Sequence, residues 1–166
     1  MEMKLCGDKV LREVCTPVES ITPDLLDIMD EMVQMMREQN GVGLAAPQVG
    51  DTRRFLVMMT PDDETVYCMI NPRITEYGPK TCVMEEGCLS VLGGDNLPVF
   101  ANVTRPESVT VEWTDESGTH RMAQMSGLAA RIVQHETDHL DGKLFIDYLS
   151  PTKREMVMRK VRKHKS

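Results

Sequence analysis

Gln134-His135-Glu136-Thr137-Asp138-His139-Leu140 is the stretch on which the reading of this chain turns. It holds two of the four histidines, four positions apart, with a glutamate directly after the first. On an α-helix a step of four returns to nearly the same face, so His135 and His139 offer ring nitrogens to one point. Glu136 stands roughly 100° around from His135 and can address a water at that point without being a ligand. This is the His-Glu-x-x-His arrangement of metal-assisted hydrolysis, two imidazole ligands and a carboxylate base. A lone inward histidine is commonly a satisfied core residue; the pair with the glutamate between them is far more specific.

The surrounding residues predict the helix that carries this site. Ser126 is placed to cap it and Asp141-Gly142 to end it. Leu128, Ile132, His135 and His139 fall at i, i+4, i+7 and i+11, a stripe expected to face the core. Further upstream, Thr22, Pro23 and Asp24 open a second helix. Its stripe of Leu25, Ile28, Met29, Met32, Met35 and Met36 reads as core packing, and Asn40-Gly41 ends it. Strands are predicted at Arg54–Met59 and Val66–Ile70, with a turn at Pro61-Asp62-Asp63 between them. Asn71-Pro72 reads as another turn. Arg73–Tyr77 and Thr81–Met84 read as short strands on either side of Gly78-Pro79. Residues 91–98 form a loop around Gly93-Gly94-Asp95-Asn96, and Val109, Val111 and Trp113 alternate on a strand that ends in a hairpin turn at Asp115–Gly118. From Pro151 to Lys165 the chain reads as a final helix with Met156, Val157 and Val161 on its apolar side.

Length and composition fit one soluble globular domain over residues 1–166. Aromatic residues make up only 4% while methionines number 14, so the core is expected to be aliphatic and filled with Met. The formal charge of −7 is unevenly spread. From Pro151 onward seven Lys/Arg face one Glu, so 151–166 is a basic helix or tail on an acidic body. That asymmetry suits an anionic partner, and it equally suits a solvated helix end. Five irregularly spaced cysteines without a Cys-x-x-Cys pair fit a reducing cytoplasm better than a disulfide framework. No apolar run approaches a membrane span, which excludes a membrane-embedded role, and the start of the chain lacks a signal-peptide pattern. Gly41–Gln48 is rich in small residues and admits close approach to its backbone. It lacks the spacing and the Lys-Ser/Thr ending of a phosphate loop, so no nucleotide cofactor is expected.

A catalytic metal site needs a third protein ligand and an open position. Asp141 is too near to fold back easily, leaving Glu155 downstream and Cys88 upstream, after Glu85 and Glu86. Spacing alone does not choose between Cys88 and Glu155.

Three segments together resemble the peptide deformylase family: Gly-Val-Gly-Leu-Ala-Ala-Pro-Gln at 41–48, Glu-Gly-Cys-Leu-Ser at 86–90, and Gln-His-Glu-Thr-Asp-His-Leu at 134–140. Their order and separations match, and the Asp-Gly-Lys-Leu-Phe-Ile-Asp-Tyr-Leu-Ser-Pro run at 141–151 is also similar. The resemblance implies an α+β fold, with antiparallel β-sheets around a central metal-binding helix and with N-terminal and C-terminal helices. It implies that Cys88, His135 and His139 hold one divalent metal, Fe(2+) in the cell, with Zn(2+), Ni(2+) or Co(2+) able to replace it. Glu136 would be the proton carrier, and the Gln48 amide and Leu89 N–H the oxyanion donors. The substrate would be a nascent polypeptide bearing formyl-methionine, from which formate leaves. Leu128 and Ile132 would line the methionine pocket, and Gly43 and Leu44 would pair with the peptide backbone as an added strand. Arg131, one turn before His135, is expected to line the pocket with its stem and reach the rim with its guanidinium. The basic tail, through Arg159, Lys160, Arg162, Lys163 and Lys165, would contact the ribosome.

Two features depart from the family's pattern. Val91-Leu92 stands where an aliphatic residue and proline are usual, and the loop at 92–98 is longer by a few residues. Two rivals are weighed against this reading: a metallopeptidase using Glu155 as third ligand, and a catalytically silent relative that binds formylated N-termini or ribosomes. An intact Glu136, Gln48 and ligand set argue against the second.

Overall fold

The computed structural model describes residues 1–164, so Lys165 lies outside the described residues. The strands in chain order are β1 (Gly43–Ala45), β2 (Phe55–Thr60), β3 (Thr65–Tyr77), β4 (Thr81–Glu86), β5 (Ala101–Pro106), β6 (Ser108–Thr114) and β7 (His120–Ser126). The helices are α1 (Pro23–Glu38), α2 (Gly127–Leu140) and α3 (Pro151–Val161). A five-stranded antiparallel sheet runs β1-β2-β3-β6-β7, and β4 pairs with β5 in a separate ribbon. This is the expected α+β arrangement, with α2 laid against the sheet.

The burial of β2 explains how the layers form. Successive side chains of a strand point to opposite faces. Leu56 and Met58 pack with Val133 and Leu140 of α2, whereas Phe55 and Val57 pack with Leu25, Met29, Met32 and Met36 of α1. Both faces of β2 are covered, so its first four residues are all buried. The methionine stripe of α1 is core, as its periodicity predicts. Thr22 caps that helix by accepting from the Leu25 N–H at 3.2 Å, and Asn40 turns left-handed (φ 55°) to end it. A third apolar cluster joins Val91, Val99 and Val103 to Leu144, Phe145, Ile146 and Val157, seating α3.

Several local expectations need correction. Asn71-Pro72 does not end a strand. β3 continues through it with a register shift against β6 between Ile70 and Arg73. The Asn71 amide bridges to Val18, its Oδ1 accepting from the N–H at 2.8 Å and its Nδ2 donating to the carbonyl at 2.9 Å. β1 and β5 are not among the expected strands, and β7 is the return strand of the hairpin expected at Asp115–Gly118. Ser126 precedes α2 as expected, but its side chain makes no capping bond. On α3, Met156 is exposed at 59%, and Met158 packs inward with Val157 and Val161 instead.

Candidate metal centre

α2 brings His135 and His139 inward on adjacent turns, with ring centroids 5.2 Å apart. The turn after β4 carries Cys88 to the same place, its Sγ 3.4 Å from His139 Nε2. One ligand atom each from Cys88, His135 and His139 falls within 4.8 Å of the others, and all three residues are buried. The expected trio therefore converges. Glu155, the rival third ligand, is far from this role: it lies on the exposed side of α3 with its carboxylate taken by Arg162 at 2.9 Å.

Within the trio His135 is oriented by Glu86, the acidic residue two positions before Cys88. Glu86 Oε1 sits 2.9 Å from His135 Nδ1, which directs Nε2 toward the ligand cluster. Glu86 is itself buried between two guanidinium groups. Arg105 Nε donates to its Oε2 at 2.6 Å and Arg131 Nη1 to the same oxygen at 2.5 Å. Burial alone would raise the Glu86 carboxyl, but His135 and Arg105 overcome it and hold it down at about 2. Arg105 extends the network to Asp138 at 2.9 Å, which also accepts from Tyr148 Oη at 2.7 Å. The signal in the sequence was the Glu85-Glu86 pair beside Gly87-Cys88; its partners were not legible there.

Arg131 is accordingly corrected. It touches the cleft wall, but its guanidinium turns inward instead of reaching the rim, donating also to the carbonyls of Val103 (2.9 Å) and Cys82 (3.0 Å). Leu128 is corrected too: it is 40% exposed at the cleft mouth and does not face the core. Ile132 is buried and lines the cleft.

Glu136 lies against the centre with Oε2 buried and without a hydrogen-bond partner. Burial is the main cause that pushes its carboxyl up to about 7. A buried orphan oxygen beside three metal-type donors fits a site built around a cation and a water. His139 suits a neutral ligand, since burial first, then His135 and Arg105, push its imidazolium well down. Around His135, burial opposes the charge while Cys88, Glu86 and Glu136 favour it and win. The same negative surroundings favour a cation on its Nε2. The donor set therefore fits a divalent metal, and the thiolate favours a soft or borderline ion.

Gln48 follows β1 in a short 3-10 turn and is buried at 1% exposure. Its Oε1 accepts from the Ala45 N–H at 2.9 Å, so Nε2 must face the other way. There it donates to Ser90 Oγ at 3.0 Å and stands 3.5 Å from Cys88 Sγ. Leu89 lines the cleft between Cys88 and Ser90. The cleft itself encloses about 530 Å³, bounded by Gly41 and Gly43 on one side and by Gly87 and Leu89 on another.

β1 is an edge strand, and its register separates the roles of its residues. The Met59 N–H donates to the Val42 carbonyl at 2.9 Å. By the alternation of an antiparallel ladder, Leu44 then pairs with Val57, and Gly43 turns its N–H and C=O away from β2. Leu44 buries its side chain under α1 and has no free edge to offer. Of the two residues expected to pair with a peptide, Gly43 alone presents an open backbone in the cleft.

The family model for polypeptide deformylase matches residues 1–155. A peptide deformylase of Rhizobium meliloti is 41% identical over 159 residues, covering 94% of this chain and 88% of that one. Peptide deformylase 2 of Xanthomonas campestris is 43% identical over 161 residues, 94% of this chain and 91% of its own. Among solved structures, a peptide deformylase from Legionella pneumophila superposes with a TM-score of 0.90 at 38% identity, covering 98% of this chain and 93% of that one. The peptide deformylase of Ehrlichia chaffeensis in complex with actinonin gives a TM-score of 0.91 at 35% identity, covering 98% and 96%.

Proposed function

The chain belongs to the polypeptide deformylase family of metal-dependent amide hydrolases, and from that premise we propose that it removes formate from the formyl-methionine of newly made polypeptides. The observation that carries this reading is the meeting of Cys88, His135 and His139 beside the orphaned carboxylate oxygen of Glu136. Cys88, His135 and His139 would hold a divalent ion, which would supply Lewis acidity and lower the pKa of a nearby water toward neutral. Fe(2+) is the ion proposed for the cell; Zn(2+), Ni(2+) and Co(2+) suit the same donors.

The chain's own residues do the rest. Glu136 takes the proton of the attacking water and delivers it to the departing amine, a task suited to a carboxyl raised to about 7. Gln48 Nε2, fixed by the Ala45 bond to its other end, and the Leu89 N–H donate to the developing oxyanion. Ile132 and Leu128 line the methionine pocket, and Gly43 pairs with the peptide backbone at the open edge of β1. Arg131 contributes by holding Glu86, and through it His135.

The basic end of the chain supports a second contact, with the ribosome. Arg159 and Arg162 are engaged by Glu155, so among the described residues of that set Lys160 and Lys163 have most freedom to meet ribosomal RNA. Such binding should weaken steeply with salt. Deleting 160–166 should abolish it; unchanged, salt-sensitive binding by the deletion would end this part of the reading. Among the described residues no helix is long and apolar enough to cross a membrane. Action on emerging chains puts the protein in the cytoplasm.

The decisive assay is formate release from a formyl-Met peptide by anaerobically prepared, iron-loaded protein, with Glu136→Ala as control. Turnover is expected, and the control should lose roughly a thousandfold. No formate from the wild type would overturn the proposal.

A further inference from the structure

Ser90 stands between Gln48 and the first residues of the chain. It is fully buried, and solvent does not reach its hydroxyl. A hydroxyl has one hydrogen to give and lone pairs with which to receive. Ser90 gives its hydrogen to the Lys4 carbonyl at 2.6 Å; the Met3 sulfur, at 3.8 Å, is a weaker second acceptor. Gln48 Nε2, 3.0 Å away, can only donate, so Ser90 receives from it. The sense of the chain is thereby fixed, from Gln48 amide to Ser90 hydroxyl to Lys4 carbonyl. Bonds aligned in one sense strengthen one another.

That order decides which hydrogen of Gln48 is left for chemistry. The last torsion of a glutamine is broad, so no rotamer aims the carboxamide. The Ala45 N–H on Oε1 settles which edge of the amide is which, and Ser90 takes one of the two hydrogens on Nε2. The other is turned to the Cys88 side, where Nε2 stands 3.5 Å from Sγ. Ser90 sends its own N–H toward the same sulfur, also at 3.5 Å.

The Lys4 carbonyl is held in turn by a strap of main chain. The Lys4 N–H donates to the Gln48 carbonyl and the Cys6 N–H to the Ser90 carbonyl, both at 2.7 Å. Residues 3–6, all half-buried, therefore stitch the turn that carries Gln48 to the turn that carries Cys88 and Leu89. Two donors from segments far apart in sequence are joined through this one strap.

We propose that Ser90 is a positioning residue for the reaction, aiming the Gln48 amide at the developing oxyanion, and that residues 3–6 set its hydroxyl. The inference rests on the deformylation reading above and adds to it a residue that acts through Gln48.

The test is a double-mutant cycle on iron-loaded full-length protein: Ser90→Ala, Gln48→Ala and the pair, with kcat, KM and bound metal measured on each. Ser90→Ala should lower kcat roughly ten- to a hundredfold, the effect of a misaimed group, with KM within about twofold and metal retained. In the Gln48→Ala background the same change should cost less than about twofold, because the residue it serves is gone. Lys4→Pro removes the N–H that ties the strap to Gln48 and should lower kcat in the same sense. Equal losses in the two backgrounds, or wild-type kcat in folded Ser90→Ala, would overturn the role and leave deformylation intact. Loss of metal in Ser90→Ala would overturn it too, by making Ser90 a support of Cys88. Absence of formate from the wild type would overturn both readings. Should Ser90→Ala fail to fold, Lys4→Pro takes its place in the cycle. Wild-type kcat in Lys4→Pro would remove the strap from the proposal.

Discussion

The carboxylate of Glu136 occupies the space where any side chain at position 43 would begin: a β-carbon on Gly43 would stand 2.6 Å from Oε1 and 2.7 Å from Cδ. The edge strand and the metal helix thus meet backbone to carboxylate, and the glycine is required by what faces it, not by its own φ. Gly43→Ala is expected to displace the carboxylate by a fraction of an ångström or more. Misplacing a reacting group by about 1 Å costs on the order of a hundredfold in rate, while the overpacking costs about 1–3 kcal/mol in stability. Measuring kcat beside a thermal melt separates the two. Wild-type kcat in a folded Gly43→Ala protein would show that Glu136 tolerates movement and is not the proton carrier.

Glu86 is the keystone charge under His135. Replacing it with Gln keeps the shape but leaves Arg105 and Arg131, both nearly inaccessible to solvent, without their shared counter-ion. Breaking a buried ion pair on one side typically costs about 3–5 kcal/mol, and loss of a ligand's orienting partner lowers metal affinity roughly ten- to a hundredfold. Urea unfolding of the metal-free protein reads the first effect, and chelator competition reads the second. Weakened folding with unaltered metal affinity would mean that Glu86 serves the arginines and does not orient the histidine.

How far these relationships could be read in advance depends on how local their signal is. His135, Glu136 and His139 declare themselves because a helix of known period places them. The stripe of α1 and the double burial of β2 follow from the same kind of periodicity. Cys88 is different, since nothing within its own segment says which of several distant residues it meets; the likeness of three motifs to a family decided it. Arg131 was misdirected because helical spacing tells which face a side chain leaves from, not that Glu86 waits beneath it. β5 went unread because one of its inward positions is Arg105, a charge that interrupts the apolar alternation expected of a half-buried strand. Asn71-Pro72 has the composition of a turn, yet the Asn71 amide finds its partners in Val18, far away in sequence, and the strand survives as a bulge.

Arg12 and Asp147 fasten the N-terminal segment to the stretch after α2. The pair is bidentate, at 2.7 and 3.0 Å, and the Leu144 N–H adds a bond of 3.0 Å to the same carboxylate. Burial alone would raise the Asp147 carboxyl; Arg12 and the Leu144 N–H outweigh it and hold the carboxyl below its ordinary value. A carboxyl depressed in the folded state stabilises above its unfolded value, about 3.9, and that stability is lost as pH falls through the folded value. Asp147→Asn should therefore cost roughly 0.5–1 kcal/mol at pH 7, a modest figure because both side chains are partly exposed. The gap to wild type should close as the pH is taken into the acid range. Denaturant melts at pH 7 and at acid pH check this, and a gap that stays constant would show that the pair contributes packing and no charge.

Gln48 offers the sharpest separation of chemistry from structure. Its Oε1 is committed to the Ala45 N–H, so its Nε2 is aimed by the fold itself at the ground between Ser90 Oγ and Cys88 Sγ. Gln48→Ala removes an amide donor but none of the three metal ligands. If the amide stabilises the oxyanion, kcat should fall on the order of 10²–10³-fold with KM changed much less. Stability should fall by about 1–3 kcal/mol, since the Ala45 N–H loses its buried acceptor. Metal content, measured on the same preparation, should stay at the wild-type level. A variant that loses metal along with activity would place Gln48 among the supports of Cys88, whereas one that keeps metal, stability and kcat together would leave the oxyanion to other donors.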